Sequence, residues 1–383
     1  MSRIESEIAV IDTEIAVIGG GIAGLSTALH VALRGVPVVV LESRQAGAAA
    51  SGVNFGGVRR NGRALAELEL AARAIEIWHR LPELVGNDCE YSVTGHLKVA
   101  RNDDDMATMV AHAEAQAPYG CAVEMISRNA LMARYPWFSD AAYGAAWCAS
   151  DGQANPRLLG PAFARAARAN GADIREHEPV AALEKDGDGF LLRCDSGLEV
   201  RARQVVNAAG AWGARVAGWL GEAVELWPMM PQMVVTEPAP YFIEPALGVV
   251  GGDVYVRQIP RGNIIFGGRS GTADLDEGFG HAMTEEALGA LQRTALVIPR
   301  MAEMNIIRLW SGVEGCTPDQ LPVLGPSATT PGVIHAFGFS GHGFCLGPGV
   351  GAVVAELALD GKTKTDIEAF DITRFLETGN QGG

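Results

Sequence analysis

Residues 14–42 read EIAVIGGGIAGLSTALHVALRGVPVVVLE. The β-branched apolar run at 15–18 has the length and composition of a buried strand. Gly19-Gly20-Gly21-Ile22-Ala23-Gly24 follows and fits G-x-G-x-x-G. Residues 25–34 then predict a helix, ended by Gly35 and Pro37. Residues 38–41 predict a second buried strand, closed by Glu42. Each part has a physical task. Gly19 permits a tight turn, Gly21 leaves no side chain to block a pyrophosphate, and Gly24 lets the helix lie close on the sheet. The helix N-terminus offers free N–H groups and a positive dipole end to phosphates. Glu42 lies 23 residues after Gly19, about where an acid accepts hydrogen bonds from a ribose diol. The glycines alone are a weak signal. Strand, glycines, helix, second strand and terminal acid in that order are a strong one for a dinucleotide-binding α/β unit.

A chain of 383 residues predicts two domains rather than one core. Hydrophobic residues at 48% and charged residues at 20% describe a globular protein. The net charge of −15 argues against nucleic acid and anionic lipid as partners. The six cysteines, at 89, 121, 148, 194, 316 and 345, form no C-x-x-C, and the eight histidines form no H-x-x-x-H. No metal site and no disulfide framework is expected, and a reducing, cytoplasmic compartment is the simplest reading. Residues 15–33 hold one ionisable side chain, His30, but three consecutive glycines and an acidic flank (Glu5, Glu7, Asp12, Glu14) argue against a membrane span or signal peptide.

Outward from this stretch, residues 1–13 read as a loose lead-in, and residues 43–52 form a small-residue loop leading to Asn54-Phe55-Gly56-Gly57-Val58-Arg59-Arg60. Helices are expected over 64–81, 106–117, 128–135 (capped by Ser127), 156–170 and 285–298. Strands are expected over 94–100, 144–149, 173–177, 180–185, 190–194, 198–202, 232–237, 254–258, 263–267, 306–310 and 333–336. Residues 204–212 read as a buried strand reaching a glycine and then a helix, 312–319 as a loop, and Pro348 as the start of the last helix.

Three separated segments converge: residues 14–42, Val205-Val206-Asn207-Ala208-Ala209-Gly210-Ala211-Trp212, and residues 338–351, GFSGHGFCLGPGVG. Together they resemble the D-amino-acid oxidase superfamily of flavoproteins, including sarcosine oxidase, dimethylglycine dehydrogenase, glycine oxidase and the β subunits of proline and opine dehydrogenases. Thr317-Pro318-Asp319 with Pro322 and Gly325 is similar to the amine-oxidising members. The resemblance implies a discontinuous Rossmann-like α/β domain binding FAD non-covalently (residues 1–85, 150–225 and 320–383). It also implies an antiparallel-sheet, α+β substrate domain (86–149 and 226–319) over the flavin. Glu42 would hold the adenosine ribose, and Gly19, Gly21, Ile22, Ala23 and Gly24 would face the pyrophosphate. Ser43, Arg44, Ser51 and Gly52 would contact adenosine or phosphate, and Val180 would back the adenine. Ala209, Gly210, Trp212 and Gly315 would line the dinucleotide. Gly341, His342, Gly343 and Phe344 would lie along the isoalloxazine, with a helix from Pro348 and Gly349 turning its positive end to the pyrimidine side.

The activity so implied is oxidation of the C–N bond of an amino acid or N-substituted amino acid, with hydride passing to flavin N5 and water hydrolysing the imine. Alternatives are 2-hydroxy-acid oxidation and a non-catalytic flavin subunit. Arg59 is the candidate for the substrate carboxylate, because a guanidinium presents a planar fork of donors; Arg60 and Arg63 are equally cationic neighbours. Tyr255 could orient substrate from its strand, although strands favour aromatics in any case. His342, between two glycines, is the candidate for proton transfer. Arg257 and Arg269 stand on the same sheet.

The departures are informative. Glu314 stands where glycine oxidase has an arginine, and Cys345 follows Phe344 where sarcosine oxidase uses a lysine. The cysteine that attaches FAD in sarcosine oxidase falls nearest Gly312, with Cys316 out of register. The lysine that promotes oxygen reduction falls near Ile265 or Phe266. A cation there lowers the barrier to superoxide electrostatically, so its absence points to another electron acceptor, a quinone or a partner subunit. Oxygen use with release of peroxide is the alternative.

Overall fold

The computed structural model describes residues 10–376, apart from 271 and 277. The lead-in expected at 1–13 lies outside the described residues up to 9, and 10–13 already belong to the first strand, Val10–Ile18. They are strand because they pair in parallel with residues 199–202. That pairing also merges the two strands expected at 198–202 and 204–212 into one, Glu199–Asn207. Its first half alternates buried and exposed residues, which disguises its continuity with the wholly buried second half.

Val10–Ile18 sits inside a sheet ordered Val323–Pro326, Val333–Phe337, Glu199–Asn207, Val10–Ile18, Val38–Glu42, Asp173–Glu176. The pairings are parallel except at the Val323–Pro326 edge, and an antiparallel hairpin, Val180–Asp186 and Gly189–Cys194, adds to Glu199–Asn207. Side chains alternate between the faces as a pleated strand requires. Ile15, Val17, Val38 and Val40 enter one core, and Ala16, Ile18, Val39 and Leu41 enter the other. Both faces are covered, so these strands read as unbroken apolar runs. Each of the valine, isoleucine and leucine side chains contributes roughly 1.5–3 kcal/mol on burial.

The last helix runs Gly343–Asp360, so it begins five residues before the expected Pro348. Pro348 is inside it, where its carbonyl accepts the Ser26 hydroxyl at 2.9 Å. The misplacement has a physical cause. The helix is wedged against Ile22–Ala32 and Leu68–His79, and the indole N–H of Trp78 donates to the Cys345 carbonyl at 2.9 Å. Tertiary packing thus outweighs the cost of an interior proline. Among the described residues this helix alone is long and apolar enough to cross a membrane, and 72% of that stretch is buried inside the fold.

The second eight-stranded sheet is ordered Ile306–Ser311, Pro231–Pro238, Asn263–Ser270, Tyr255–Gln258, Ala246–Val249, His96–Ala100, Gly144–Cys148, Glu124–Ser127. Ala246–Val249 was not expected, being four residues long, just after Pro245 and interrupted by Gly248. It joins His96–Ala100 in parallel, so the sheet is antiparallel at every other pairing. Thr284–Val297 and Arg128–Arg134 pack on its outer face. Ser127 stands at the N-cap of the latter helix and pairs with Gly144 in the sheet, but its side chain makes no capping bond. The helix expected over 64–81 is broken into a 3-10 turn, Leu65–Glu67, and the helices Leu68–His79 and Leu81–Val85. The loop expected at 312–319 contains a short strand, Glu314–Cys316, paired with Trp227–Met229.

The small face of the last helix makes a test. A Cβ on Gly351 would lie 2.3 Å from Ser26 Cβ, where nothing flexible can yield. Gly351→Ala is expected to lower stability by roughly 1–3 kcal/mol, read as a lower urea midpoint at unchanged slope.

Candidate active site

The two sheets face each other across a cavity of about 720 Å³, within the range of roughly 300–1,000 Å³ for ligand pockets. Two helices begin on its wall. Ile22–Ala32 starts after Gly21 and Gly343–Asp360 after His342, and neither cap residue makes a side-chain capping bond. Both positive helix ends are therefore presented to one space.

At the first, the Ile22 N–H donates to Ser51 Oγ at 2.9 Å and the Gly20 N–H to Glu42 Oε2 at 2.6 Å. The Arg44 N–H donates to Glu42 Oε1 at 2.8 Å, so Glu42 is buried yet satisfied and keeps lone pairs toward the cavity. Gly19, at φ +105°, has its missing Cβ position 2.4 Å from the Ala208 carbonyl, while a Cβ on Gly21 would meet only Ser51 Oγ at 3.3 Å. Gly21 is thus bare backbone facing open space, which suits a pyrophosphate. Ala23, Ser43, Arg44, Val180, Ala209, Gly210, Trp212 and Gly315 also line the wall. Trp212 is fixed by its indole N–H donating to the Leu275 carbonyl at 3.0 Å. Gly24 and Gly52 do not reach the wall: a Cβ on either would strike the Gly19 carbonyl at 2.0 Å or the Gly47 carbonyl at 2.5 Å. They serve backbone packing beneath it.

At the second helix start, Gly341, His342, Gly343 and Phe344 line the wall. His342 Nδ1 lies 2.9 and 2.8 Å from the two Glu67 oxygens. Burial opposes ionisation of Glu67, but His342, Arg63 and Arg59 outweigh it and hold the carboxyl below its usual range. Burial, then Arg63, pushes the His342 imidazolium pKa down. The ring is therefore neutral, with Nδ1–H on Glu67 and the Nε2 lone pair free. Glu67 escaped the sequence reading because it sits in a turn disguised as the start of a helix.

Arg59 lines the cavity as expected, with one donor on the Asn61 carbonyl at 2.6 Å. Its loop is tied down by buried Asp151, which accepts the N–H groups of Arg60 at 2.8 Å and Asn61 at 3.0 Å. Arg60 turns away to the Tyr119 and Gly120 carbonyls, which separates these adjacent arginines. Beside Arg59 stands an unexpected cation, Lys98, with the buried imidazole of His96 on the same strand. Lys98 makes no hydrogen bond or ion pair among the described residues. Burial and Arg59 push its pKa down to about 8, and burial and Arg63 push Arg59 down to about 10. The same effects hold His96 neutral. A lysine inside the apolar strand His96–Ala100 was the available signal.

Tyr255 lines the wall, packed edge-on to Phe55 at 4.9 Å. Its hydroxyl donates to the Gln232 carbonyl at 3.0 Å, so toward a ligand it can only accept. Burial, then Glu314, raises its pKa. Arg257 lies off the wall behind Phe55, against Gln153, and the Arg269 side chain lies outside the described part. Cys316 is buried and off the wall, its thiol pushed up to about 11 by burial and Glu314.

Residues 14–357 match the model of the DAO family, FAD dependent oxidoreductase. The chain is 30% identical over 315 residues to hydrogen cyanide synthase subunit HcnC of Pseudomonas aeruginosa, covering 81% of this chain and 74% of that one. Its fold is similar to L-proline dehydrogenase from P. horikoshii, with 28% identity, a TM-score of 0.87 and coverage of 96% and 99%. It is also similar to glycine oxidase from Geobacillus kaustophilus, with 25% identity, a TM-score of 0.88 and coverage of 95% and 99%. With a matched span that holds both helix starts on the cavity and nearly every strand of the two sheets, this chain belongs to the DAO family of FAD-dependent oxidoreductases.

Proposed function

We propose that this chain oxidises the C–N bond of an amino acid or N-substituted amino acid and passes the electrons to an acceptor other than oxygen. The observation that carries the reading is the cation pair Arg59 and Lys98, half-buried on the cavity wall with no acidic partner on Lys98 among the described residues. Two cations held together in low dielectric call for an anion, and a substrate carboxylate supplies it.

In this reading Glu42 holds the adenosine ribose, and Gly19, Gly21, Ile22 and Ala23 hold the pyrophosphate with Ser43, Arg44 and Ser51. Val180, Ala209, Gly210, Trp212 and Gly315 flank the dinucleotide, and Gly341, His342, Gly343 and Phe344 lie along the ring system. The buried Cys316 thiol makes no covalent link. FAD, when bound, supplies the acceptor for the hydride that leaves the substrate Cα. The protein's part is to fix that carbon. Arg59 and Lys98 grip the carboxylate, Tyr255 accepts an N–H from the amine, and the neutral His342 offers Nε2 as a second acceptor. The positive end of Gly343–Asp360 favours negative charge gathering beside it.

The acceptor is argued from charge as well. Ile265 and Phe266, where an oxygen-activating lysine is expected, are buried and uncharged. The names of two similar proteins, a subunit and a dehydrogenase, support a partner or carrier as the acceptor.

Anaerobic mixing with a panel of amino acids, N-methyl amino acids and 2-hydroxy acids is expected to bleach the flavin band with an amine only. Bleaching by hydroxy acids alone overturns the reading. Stopped-flow reoxidation by air is expected to be slow; fast, saturating reoxidation yielding peroxide makes the protein an oxidase. Lys98 must be protonated to hold a carboxylate, and it loses that proton as pH rises through about 8. KM is therefore expected to climb above that pH. Lys98→Met is expected to raise KM about tenfold below it, equivalent to about 1.4 kcal/mol, and to abolish the alkaline climb. Arg59→Met is expected to cost roughly 2–5 kcal/mol in kcat/KM.

A further inference from the structure

Apart from the Arg215–Asp276 ion pair and Glu42 beside Arg44, the cavity wall carries one group of cations, Arg59, Arg63 and Lys98, and one further acid, Glu314. Arg59, Arg63 and Lys98 are perturbed by burial, by one another and by Asp151, Glu67 and Asp105. Glu314 is on the same wall but is influenced by none of those cations. It opens the strand Glu314–Cys316, in register opposite Met229. A Cβ on Gly341 would lie 3.5 Å from Met229 Cε and 3.7 Å from Glu314 Oε2, and the Gly341 amide faces the carboxylate. The carboxylate therefore stands beside the segment at 341–344. Glu314 forms no ion pair among the described residues.

A carboxylate held in low dielectric without a cation is destabilised, unless a cation arrives or it takes a proton. A zwitterionic amino acid anchored at Arg59 and Lys98 brings both: a positive nitrogen and a removable proton. We infer that Glu314 takes the proton from the ammonium group of the bound amino acid and is in that sense a catalytic residue. The step balances within the pair. The ammonium N–H bond breaks, an O–H bond forms on Glu314, and the electron pair stays on nitrogen, leaving a neutral amine and a neutral carboxylic acid. The chemistry needs this, because only a nitrogen lone pair can assist departure of hydride from Cα.

Burial raises the Glu314 pKa to about 7, which leaves it ionised above neutrality yet more basic than an exposed glutamate. The cationic pole lowers the amine's own proton affinity, as Arg59 does for Lys98. Around Glu314 stand the Tyr255 phenol and the Cys316 thiol, both made harder to ionise by it, and His342 next to Gly341. Neither the phenol nor the thiol is an anion at neutral pH, and burial and Arg63 make the His342 imidazole a weaker base than usual, so Glu314 is the acceptor for the proton at this pole. The inference rests on the amine-oxidising reading.

The test uses the FAD-loaded protein and two carboxylates that it cannot oxidise at nitrogen, read by perturbation of the visible flavin spectrum. Trimethylglycine carries a permanent positive charge; (methylthio)acetate carries none at that position. The ratio of their Kd values cancels the shared carboxylate anchor. In the wild type this ratio is expected to shift about tenfold toward trimethylglycine between pH 6 and pH 8, as a carboxyl titrating near 7 ionises. E314Q is expected to abolish the shift while still binding (methylthio)acetate, whereas E314D and H342Q are expected to retain it. A ratio independent of pH in the wild type, or a shift that survives in E314Q, overturns the inference. If an amino acid bleaches the flavin while the ratio stays flat, only the role of Glu314 falls. If no amine or amino acid bleaches it, the amine-oxidising reading falls and takes this inference with it.

Discussion

Small residues at 347, 349 and 351 let the C-terminal helix touch the backbone and short side chains of two earlier helices. A Cβ at these positions would meet Ile22, Ala74 or Ser26 within about van der Waals exclusion. The contact is sealed by two buried hydrogen bonds, from Ser26 to Pro348 and from Trp78 to Cys345. Its consequence is electrostatic. It brings the N-terminus of Gly343–Asp360 onto the same cavity as the N-terminus of Ile22–Ala32. Two positive helix ends, from distant parts of the chain, are thereby presented to one space.

The second constraint is burial of charge. Arg59, Lys98, His96, Glu67, His342 and Glu314 are all withdrawn from water to some degree, and burial is the largest influence on each. Some are satisfied internally: Glu67 and His342 hold each other, and Asp151 ties down the Arg59 loop. Lys98 and Glu314 are not, and they stand on separate parts of the wall. A protein retains such groups at a cost to stability, and perturbed groups in a cleft mark a working site. In the proposed reading, Arg59 and Lys98 would face the carboxylate of an amino acid and Glu314 its nitrogen.

The nucleotide-binding half was readable because its signals are local. Gly19, Gly21 and Glu42 are each specified by a backbone or ligand need that lies within one β–α–β unit. Even there, Gly24 and Gly52 share the glycine-rich pattern but serve packing, a difference set by which backbone lies opposite them. Pro348 misled for the opposite reason. Proline usually starts helices, and only the grip of the neighbouring helices shows that this one is interior.

By itself, then, the sequence determined the Rossmann-like unit, whose signals are short-range, and through the family resemblance it gave the expectation of FAD and singled out Arg59, Tyr255 and His342, which the structure places on the cavity wall. Tertiary structure alone decided which neighbours those residues have. Lys98 reaches Arg59 from the second sheet, Glu67 reaches His342 across 275 positions of chain, and Glu314 faces Gly341 through a two-stranded pairing with Trp227–Met229. Charge acts through space and dielectric rather than along the chain, so the chemistry of the pocket emerges only when distant segments are packed together.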